Sequence, residues 1–448
     1  MVSVTLQAEA PQDDAPADTA DAALPRIIGR LNLRLMPVLL LMYVMAFLDR
    51  TNIGFAKDSF QAQTGIGNQA YALGASIFFV GYAFLEVPSN LMLQRFGGRI
   101  WLSRIMVSWG LVSAAMFLVR DETSYYLLRF LLGLAEAGFF PGVVFYITKF
   151  YPEGFRARAL GLFYIGAPLS FILGGPVSGG LLRLDGALGL AGWQWLFLIE
   201  GLLASLVGIL AFFHLPDGPR QAPWLSPQDK ATLQKALDSD RKPPDETSLL
   251  RALRSPRVLY LGAIYLLVQM SVYGLVFFLP SQIAAATGQS VGWQVGLLSA
   301  LPWSAALLAT LLLPALADRT GRHKGIAVLS SLAAGLGLAA SVWLHHPAFT
   351  LAGLSIAAAG FIAVQPLFWA LASARLPATQ AAGAIALINA LGAAGSFIGP
   401  NVRVAIESAL HSVTAGLYAM ALLCFLGAAM ILGLASPSST LTQKATDR

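Results

Sequence analysis

The sequence has little charge and almost no cysteine. Asp, Glu, Lys and Arg make up 12% of its 448 residues, roughly half the share found in soluble proteins. Water is therefore not the expected solvent for most of its surface. The single cysteine, Cys424, lies in an apolar run, which excludes a disulfide bond within the chain and argues against a cysteine-based metal site.

The sequence also has few features of metal sites, signal peptides or nucleic-acid binding. Histidine occurs five times, and the pair His345 and His346 has no further ligands nearby, so we expect neither a metal site nor a bound cofactor. The first 25 residues lack the basic start and apolar stretch of a cleaved signal peptide, and we expect a disordered cytoplasmic tail over 1–29. The net charge of +6 sits in short segments between apolar runs, so no nucleic-acid partner is expected.

Long apolar runs dominate what remains. Hydrophobic residues make up 56% of the chain, and the mean hydropathy is +0.67. A helix needs about 20 apolar residues to cross the hydrocarbon core of a bilayer. Such runs predict an all-α membrane protein with twelve transmembrane helices at about 33–56, 71–94, 101–119, 125–149, 158–182, 193–214, 258–284, 294–317, 325–344, 348–373, 380–404 and 412–435.

The positions of Lys and Arg predict the orientation. If both termini are cytoplasmic, most of the 29 basic residues fall on the inside, and the outer segments hold only Lys57, Arg120 and Arg183. This asymmetry is typical of the positive-inside rule. The predicted units are a cytoplasmic tail, a six-helix bundle, a cytoplasmic linker, a second six-helix bundle and a cytoplasmic tail, over 1–29, 30–214, 215–257, 258–435 and 436–448.

The two bundles are predicted to be pseudo-repeats. The loop after the second span places Arg95 before Gly97, and the loop after the eighth span places Arg319 before Gly321. Both Arg-x-Gly sequences stand at a tight turn in the same position of their half. Repeated halves with a site between them are the usual construction of secondary transporters.

Four charged residues lie where a membrane should not tolerate them. Asp49 and Arg50 fall in the first predicted span, and Arg129 and Glu136 in the fourth. A charge at such depth costs a few kcal/mol or more unless it faces protein or water. Arg129 and Glu136 are seven residues apart and so share one helix face. A structural ion pair in the first span, or an arginine that only caps helix ends, are the alternatives.

The charges of this set suggest coupling between a proton and an anion. With both acids ionised the four charges sum to zero, and protonation of either acid leaves a net positive site that binds an anion better. Arginine stays charged and grips a carboxylate with two parallel hydrogen bonds. We therefore predict that Arg50 and Arg129 bind the anion and that Asp49 and Glu136 carry protons.

Further polar residues within spans are weaker candidates for the substrate site. Tyr82 and Tyr273 can donate hydrogen bonds, although tyrosines also serve as anchors at the membrane interface. Asn389 lies mid-span in the eleventh predicted span and Trp369 lies in the tenth, and both are predicted to line the site. Glu200 in the sixth span is interpreted as structural or interfacial.

Several segments together resemble the major facilitator superfamily, and more narrowly its anion:cation symporter family. The resemblance covers about residues 30–435, and it is nearest to the branch of tartrate transporters and phthalate permease-like carriers. It is carried by Leu48-Asp49-Arg50-Thr51-Asn52-Ile53-Gly54, Glu86-Val87-Pro88-Ser89-Asn90, the segment from Arg129 to Gly142, and Gly192-Trp193-Gln194-Trp195-Leu196-Phe197.

The resemblance implies the major facilitator fold and a secondary transporter that imports a small organic anion, tartrate-like or another carboxylate, by proton symport. It implies that Arg50 and Arg129 handle the carboxylate and that Asp49 and Glu136 handle protons. One departure concerns the eleventh span, where relatives often carry a second Asn one turn after the first. Ala393 stands there, which weakens the case for a polyhydroxy substrate.

Two other functions remain open. An exporter of aromatic or drug-like organic acids would share the fold and run the same coupling backwards. A membrane-embedded transferase is a remote alternative, because no His-rich or paired-acid motif of an enzyme is present. We expect a monomer in the cell inner membrane, with the substrate anion, protons and the lipid bilayer as partners, and no enzymatic activity.

Overall fold

The computed structural model describes residues 17–240, 255–343, 346–376 and 381–434. These ranges form helices joined by short turns. The helices are α1 Ala17–Arg34, α2 Met36–Thr64, α3 Asn68–Phe96, α4 Gly98–Ala115, α5 Glu122–Glu136, α6 Phe139–Thr148, α7 Glu153–Tyr164, α8 Gly166–Leu181, α9 Gly192–His214, α10 Pro227–Ser239, α11 Pro256–Val276, α12 Leu279–Thr287, α13 Trp293–Thr320, α14 His323–Trp343, α15 Pro347–Ser373, α16 Ala381–Ala409 and α17 Val413–Leu432.

The prediction of twelve spans is confirmed. Twelve helical segments among the described residues are long and apolar enough to cross a membrane, and each overlaps one predicted run. The fourth span is made of α5 and α6, and the fifth of α7 and α8. The predicted seventh span over 258–284 is divided, because α11 ends at Val276 and a short helix with Pro280 in its first turn follows.

Large apolar side chains cover the outside of the bundle. Phe84, Phe213, Leu312 and Leu329 are 64% to 75% exposed. A soluble protein would lose stability and solubility from such a surface, whereas lipid tails solvate it well. Helices satisfy their own backbone hydrogen bonds, which is why they are suited to this solvent.

The described part of the predicted N-terminal tail is helical. Helix α1 begins at Ala17, within the range where we expected disorder, and residues 1–16 lie outside the described ranges. Its apolar face is buried through Ile27 and Leu31. Two arginines of α1 reach the linker helix α10, where Arg26 and Arg30 donate to Asp229 at 3.1 and 2.8 Å. Burial and ion pairing thus order this segment.

Other predictions fall partly outside the described ranges. Residues 241–254 of the linker, His345, and the C-terminal tail 436–448 are among the residues not described. His346 accepts a hydrogen bond from the backbone of Ala348 and so caps the start of α15. The cytoplasmic location of the termini stays a prediction from the Lys and Arg positions.

Two helical halves form the molecule, α2–α9 and α11–α17, and they meet closely at one end. We call the end that carries the linker helix α10 the linker end, and the opposite end the far end. At the far end the Tyr71 hydroxyl donates to the Phe277 carbonyl at 3.1 Å, and Ser281 donates to Asp58 at 2.9 Å. Glycines also bring α8 and α13 together, since a Cβ at Gly179 would lie 2.5 Å from the Gly292 carbonyl oxygen.

Candidate functional site

A break in the fourth span positions Glu136. Helix α5 ends at Glu136, Gly138 follows with φ of +82°, and α6 begins at Phe139. Pro141 cannot donate the helical hydrogen bond to the carbonyl of Ala137, so a continuous helix is disfavoured here. A Cβ at residue 138 would lie 2.5 Å from Ser89 Oγ. Gly138 and Pro141 therefore place the Glu136 carboxyl group at a helix end in the middle of a span.

Glu136 forms a buried ion pair with Arg50. Arg50 Nη2 donates to Glu136 Oε1, and the two side chains are 16% and 0% exposed. Each partner keeps one buried polar atom without a hydrogen bond, namely Arg50 Nε and Glu136 Oε2. The guanidinium group thus retains a donor for a further anionic ligand.

Aromatic rings surround the Arg50 guanidinium group. Its carbon lies 5.0 Å from the Phe47 ring centre, 5.4 Å from that of Phe78 and 5.6 Å from that of Tyr82. Such rings attract a cation through their electron-rich faces. Tyr273 comes from the other half and interacts electrostatically with Arg50. The structure thus brings the predicted residues Arg50, Glu136, Tyr82 and Tyr273 together where the halves meet.

Arg129 occupies a different environment. Its Nε and Nη2 donate to the backbone carbonyls of Gly74 and Ala75 in α3 at 3.3 and 2.9 Å, and the residue is 1% exposed. Its guanidinium carbon lies 5.5 Å from the Phe78 ring centre, so Phe78 contacts both arginines. These contacts correspond to the capping role that the sequence left open, although Arg129 also interacts electrostatically with Asp49 and Glu136.

Asp49 points into the N-terminal half. Its Oδ1 accepts hydrogen bonds from Ser113 of α4 and, at 3.1 Å, from the Asn52 amide. Asn52 also lies close enough to interact with Glu200 of α9. The sequence analysis missed Asn52 and Ser113 in this role. Asn52 stands three residues after Asp49 and so shares its helix face, which was an available signal, whereas nothing in the sequence connects Ser113 to Asp49.

The remaining predicted lining residues lie in the C-terminal half. Trp369 packs edge-on against Tyr265, with ring centres 5.1 Å apart. The Asn389 amide donates to Glu86 Oε1 of α3 at 3.5 Å. Asn389 therefore joins the two halves, and within the described part of the chain neither residue is recorded in contact with Arg50.

Comparison with known proteins agrees with this architecture. Residues 39–400 match the model of the Major Facilitator Superfamily. The inner membrane transport protein RhmT of Escherichia coli K12 is 46% identical over 410 residues, which cover 92% of this chain and 95% of that protein. A quinolone resistance transporter of Acinetobacter baumannii is 40% identical over 405 residues, with coverage of 90% and 93%.

The predicted resemblance to tartrate carriers is confirmed at the level of family. A putative tartrate transporter of Agrobacterium vitis is 38% identical over 424 residues and covers 94% of each chain. The solved structure of a bacterial homologue of the lysosomal transporter Spinster superposes with a TM-score of 0.71 at 18% identity, covering 90% of this chain and 98% of that one. Fold and sequence thus agree, and the chain belongs to the Major Facilitator Superfamily of membrane transporters.

Proposed function

We propose that this protein is a secondary active transporter that imports a small organic anion, a tartrate-like or other carboxylate, together with a proton. The observation that carries the proposal is the buried ion pair between Arg50 and Glu136. An arginine paired with an acid in mid-membrane is an anion site already filled by the protein's own carboxylate. The substrate and Glu136 compete for it.

Protonation of Glu136 resolves this competition. Neutral Glu136 no longer holds the Arg50 guanidinium group, whose Nη2 and Nε then face an incoming carboxylate with two parallel donors. A proton on Glu136 thus favours anion binding, and by reciprocity a bound anion favours the proton. Couplings of this kind amount to about 1–3 kcal/mol.

The ion pair also explains how the transporter, without bound substrate, returns to the conformation that binds the next substrate. Without substrate, an unpaired Arg50 would leave an uncompensated charge in the membrane interior, which is strongly destabilising. Release of the proton restores the Arg50–Glu136 pair and removes that cost. A carrier holding the anion without a proton has two negative groups on one arginine and is disfavoured, so the anion is not carried alone.

Alternating access fits the way in which the halves meet. Hydrogen bonds join the halves near the far end, among them those from Tyr71 to the Phe277 carbonyl, from Ser281 to Asp58 and from Asn401 to Ser76. Such hydrogen bonds can open and re-form when the halves move. Arg50 and Tyr273 come from different halves, so a rocking motion would change the surroundings of the bound anion.

The names of relatives support a carboxylate substrate. Two putative tartrate transporters of Agrobacterium vitis are 38% and 39% identical to this chain. These names, with the superfamily match, are positive evidence for transport over the transferase alternative. We place the protein in the cytoplasmic membrane with the linker end inside, as the positions of Lys and Arg predict.

The decisive experiment is uptake by proteoliposomes with an imposed pH gradient. A panel of carboxylates including tartrate identifies a substrate, and its uptake is expected to rise as the outer solution is made more acidic. Glu136→Gln should keep exchange of substrate for substrate but lose accumulation driven by the gradient, by about tenfold or more, because Gln cannot release a proton.

Glu407→Gln is the control, since Glu407 pairs with Arg403 elsewhere. Full gradient-driven uptake by both Glu136→Gln and Asp49→Asn would reject proton symport.

Export of aromatic organic acids is the second candidate. The quinolone resistance transporter of Acinetobacter baumannii, 40% identical, favours it. The same acids and arginines would then exchange an outgoing compound for an incoming proton. Everted membrane vesicles with an acidic interior distinguish the two, because an exporter accumulates the compound in them and an importer of the symport type does not.

A further inference from the structure

A second pair of buried acids lies inside the N-terminal half, apart from the Arg50–Glu136 pair. Asp49 of α2 and Glu200 of α9 are 3% and 2% exposed, and Asn52, which is fully buried, interacts with both. Ser113 of α4 and Ser178 of α8 complete the cluster. Four helices of one half therefore place five polar side chains in an otherwise apolar interior.

The hydrogen bonds of this cluster leave three acceptors without a donor. Asp49 Oδ1 accepts from Ser113 and Asn52, and Glu200 Oε1 accepts from Ser178 at 2.9 Å. The second oxygen of each carboxyl group, Asp49 Oδ2 and Glu200 Oε2, has no partner, and neither has Asn52 Oδ1. All three atoms are buried acceptors, so the cluster lacks a donor.

Among the residues that the structure describes, no cation is recorded as interacting with Glu200. Asp49 interacts electrostatically with Arg129 and Arg50. The groups that interact with Glu200 are Ser178, Asp49 and Asn52, and the only charged one among them has the same sign as an ionised Glu200. Two neighbouring carboxylates in a membrane interior, one of them without a cation, carry a desolvation cost of several kcal/mol.

We propose that Glu200 holds a proton and donates it in a hydrogen bond to Asn52 Oδ1. Protonation turns one of the three unpartnered acceptors into a donor, and this donor satisfies a second one. It also removes the negative charge that lacks a cation. Asn52 then links a neutral Glu200 to Asp49, since its amide already donates to Asp49.

This proton site goes beyond the proposed symport. Glu200 does not contact Arg50, so its proton does not compete with an anion for the guanidinium group. It lies instead behind Asp49, one of the two predicted proton carriers. The N-terminal half thereby contains a protonated carboxyl group that the coupling between Glu136 and the substrate does not require.

Infrared spectroscopy tests the proposal without any transport measurement. Neutral carboxylic acids have a carbonyl-stretch band that ionised carboxylates lack. In the full-length protein reconstituted in lipid at neutral pH, Glu200→Gln is expected to remove one such band. Asn52→Leu should keep the band but move it to higher frequency, because the hydrogen bond that lowers it is lost. Glu407→Gln should leave it unchanged, since Glu407 lies outside the cluster and accepts a hydrogen bond from Arg403 Nε at 2.7 Å.

Three outcomes decide the question. A band that disappears in Glu200→Gln and is shifted in Glu200→Asp supports the proposal and guards against a variant that merely misfolds. A spectrum of Glu200→Gln identical to that of the unaltered protein overturns it. A Glu200 band that is absent from the unaltered protein in sodium chloride and appears only when choline replaces sodium also overturns it, because the cluster then holds a sodium ion rather than a proton. None of these results depends on whether symport is correct.

Discussion

Two arginines of the same buried region have different chemical roles. Arg50 has an acid and three aromatic rings around it and a free Nε, whereas Arg129 has two of its donors on backbone carbonyls of α3. A backbone carbonyl cannot be displaced by protonation, but the Glu136 carboxylate can be neutralised. Under the proposed mechanism, Arg50 is therefore the arginine whose partner a substrate would replace.

Substitution of Arg50 tests this distinction at the scale of one residue. Arg50→Lys keeps the positive charge but loses the planar pair of donors. We expect the dissociation constant of the substrate to rise by on the order of tenfold or more, as for the loss of a hydrogen bond to a charged group. Binding to the purified protein, measured by calorimetry, gives the result.

The matched control for this change is Arg95→Lys, because Arg95 is exposed at the end of α3. Its substrate affinity should equal that of the unaltered protein. Arg50→Lys with unchanged affinity would remove Arg50 from the binding site.

At the scale of the helix, the break between α5 and α6 is the feature with the greatest consequence. It ends a helix at Glu136, where the negative end of the helix dipole opposes an anionic side chain. Discontinuous helices at mid-membrane are a recurrent way of building ion and substrate sites. In the proposed mechanism, the helix end thus helps Glu136 to exchange its ion pair for a proton.

Gly138→Ala is expected to damage this break. Its φ of +82° is in the left-handed region, which costs a residue with a Cβ about 1–2 kcal/mol, and the added atom would meet Ser89. Both thermal stability and the rate of uptake should fall, as measured by a melting curve in detergent and by proteoliposome assay.

Gly154→Ala provides the comparison for that prediction. Gly154 has ordinary helical geometry near the start of α7, and a Cβ there meets no atom within 4 Å. Its melting temperature should stay the same or rise slightly. Equal melting temperatures and uptake rates for the two variants would show that the break does not need a glycine.

At the scale of the whole molecule, the proposed alternating access treats the halves as two bodies that separate at the far end. Asp58 of α2 and Ser281 of α12 are within hydrogen-bond distance across the halves. Transport by alternating access requires this contact to separate. A covalent link at this place should therefore stop the cycle.

Paired cysteines test this motion in a Cys424→Ser background, which has no other thiol. With Asp58→Cys and Ser281→Cys together, oxidation or a short thiol cross-linker should abolish net uptake, and a reductant should restore it. Each single variant should remain active, because neither can form the link.

The control pair lies within one half. Gln61 and Asn68 form a hydrogen bond of 3.2 Å at the same end, so linking Gln61→Cys to Asn68→Cys should leave uptake unchanged. Full uptake by the cross-linked Asp58→Cys/Ser281→Cys protein would contradict alternating access at this contact.

The sequence by itself determined that most of this protein's surface faces lipid, and it determined the number of its spans. Apolar runs of about 20 residues are a local property of the chain, and all twelve appear where they were predicted. It also singled out Asp49, Arg50, Arg129 and Glu136, because a charge in an apolar run is visible without any structure. Helix α1 was missed, since its order depends on burial and on Asp229 of a distant helix.

Only the tertiary structure decided which of these charges meet. The chain separates Arg50 from Glu136 by 86 residues and Asp49 from Ser113 by 64, and spacing along a helix says nothing about such pairs. Packing placed Arg129 on backbone carbonyls, Asp49 beside Asn52 and Ser113, and Glu200 within their reach. The physical reason is that hydropathy is a property of one segment of the chain, whereas the partner of a buried charge comes from any of the several helices packed around it.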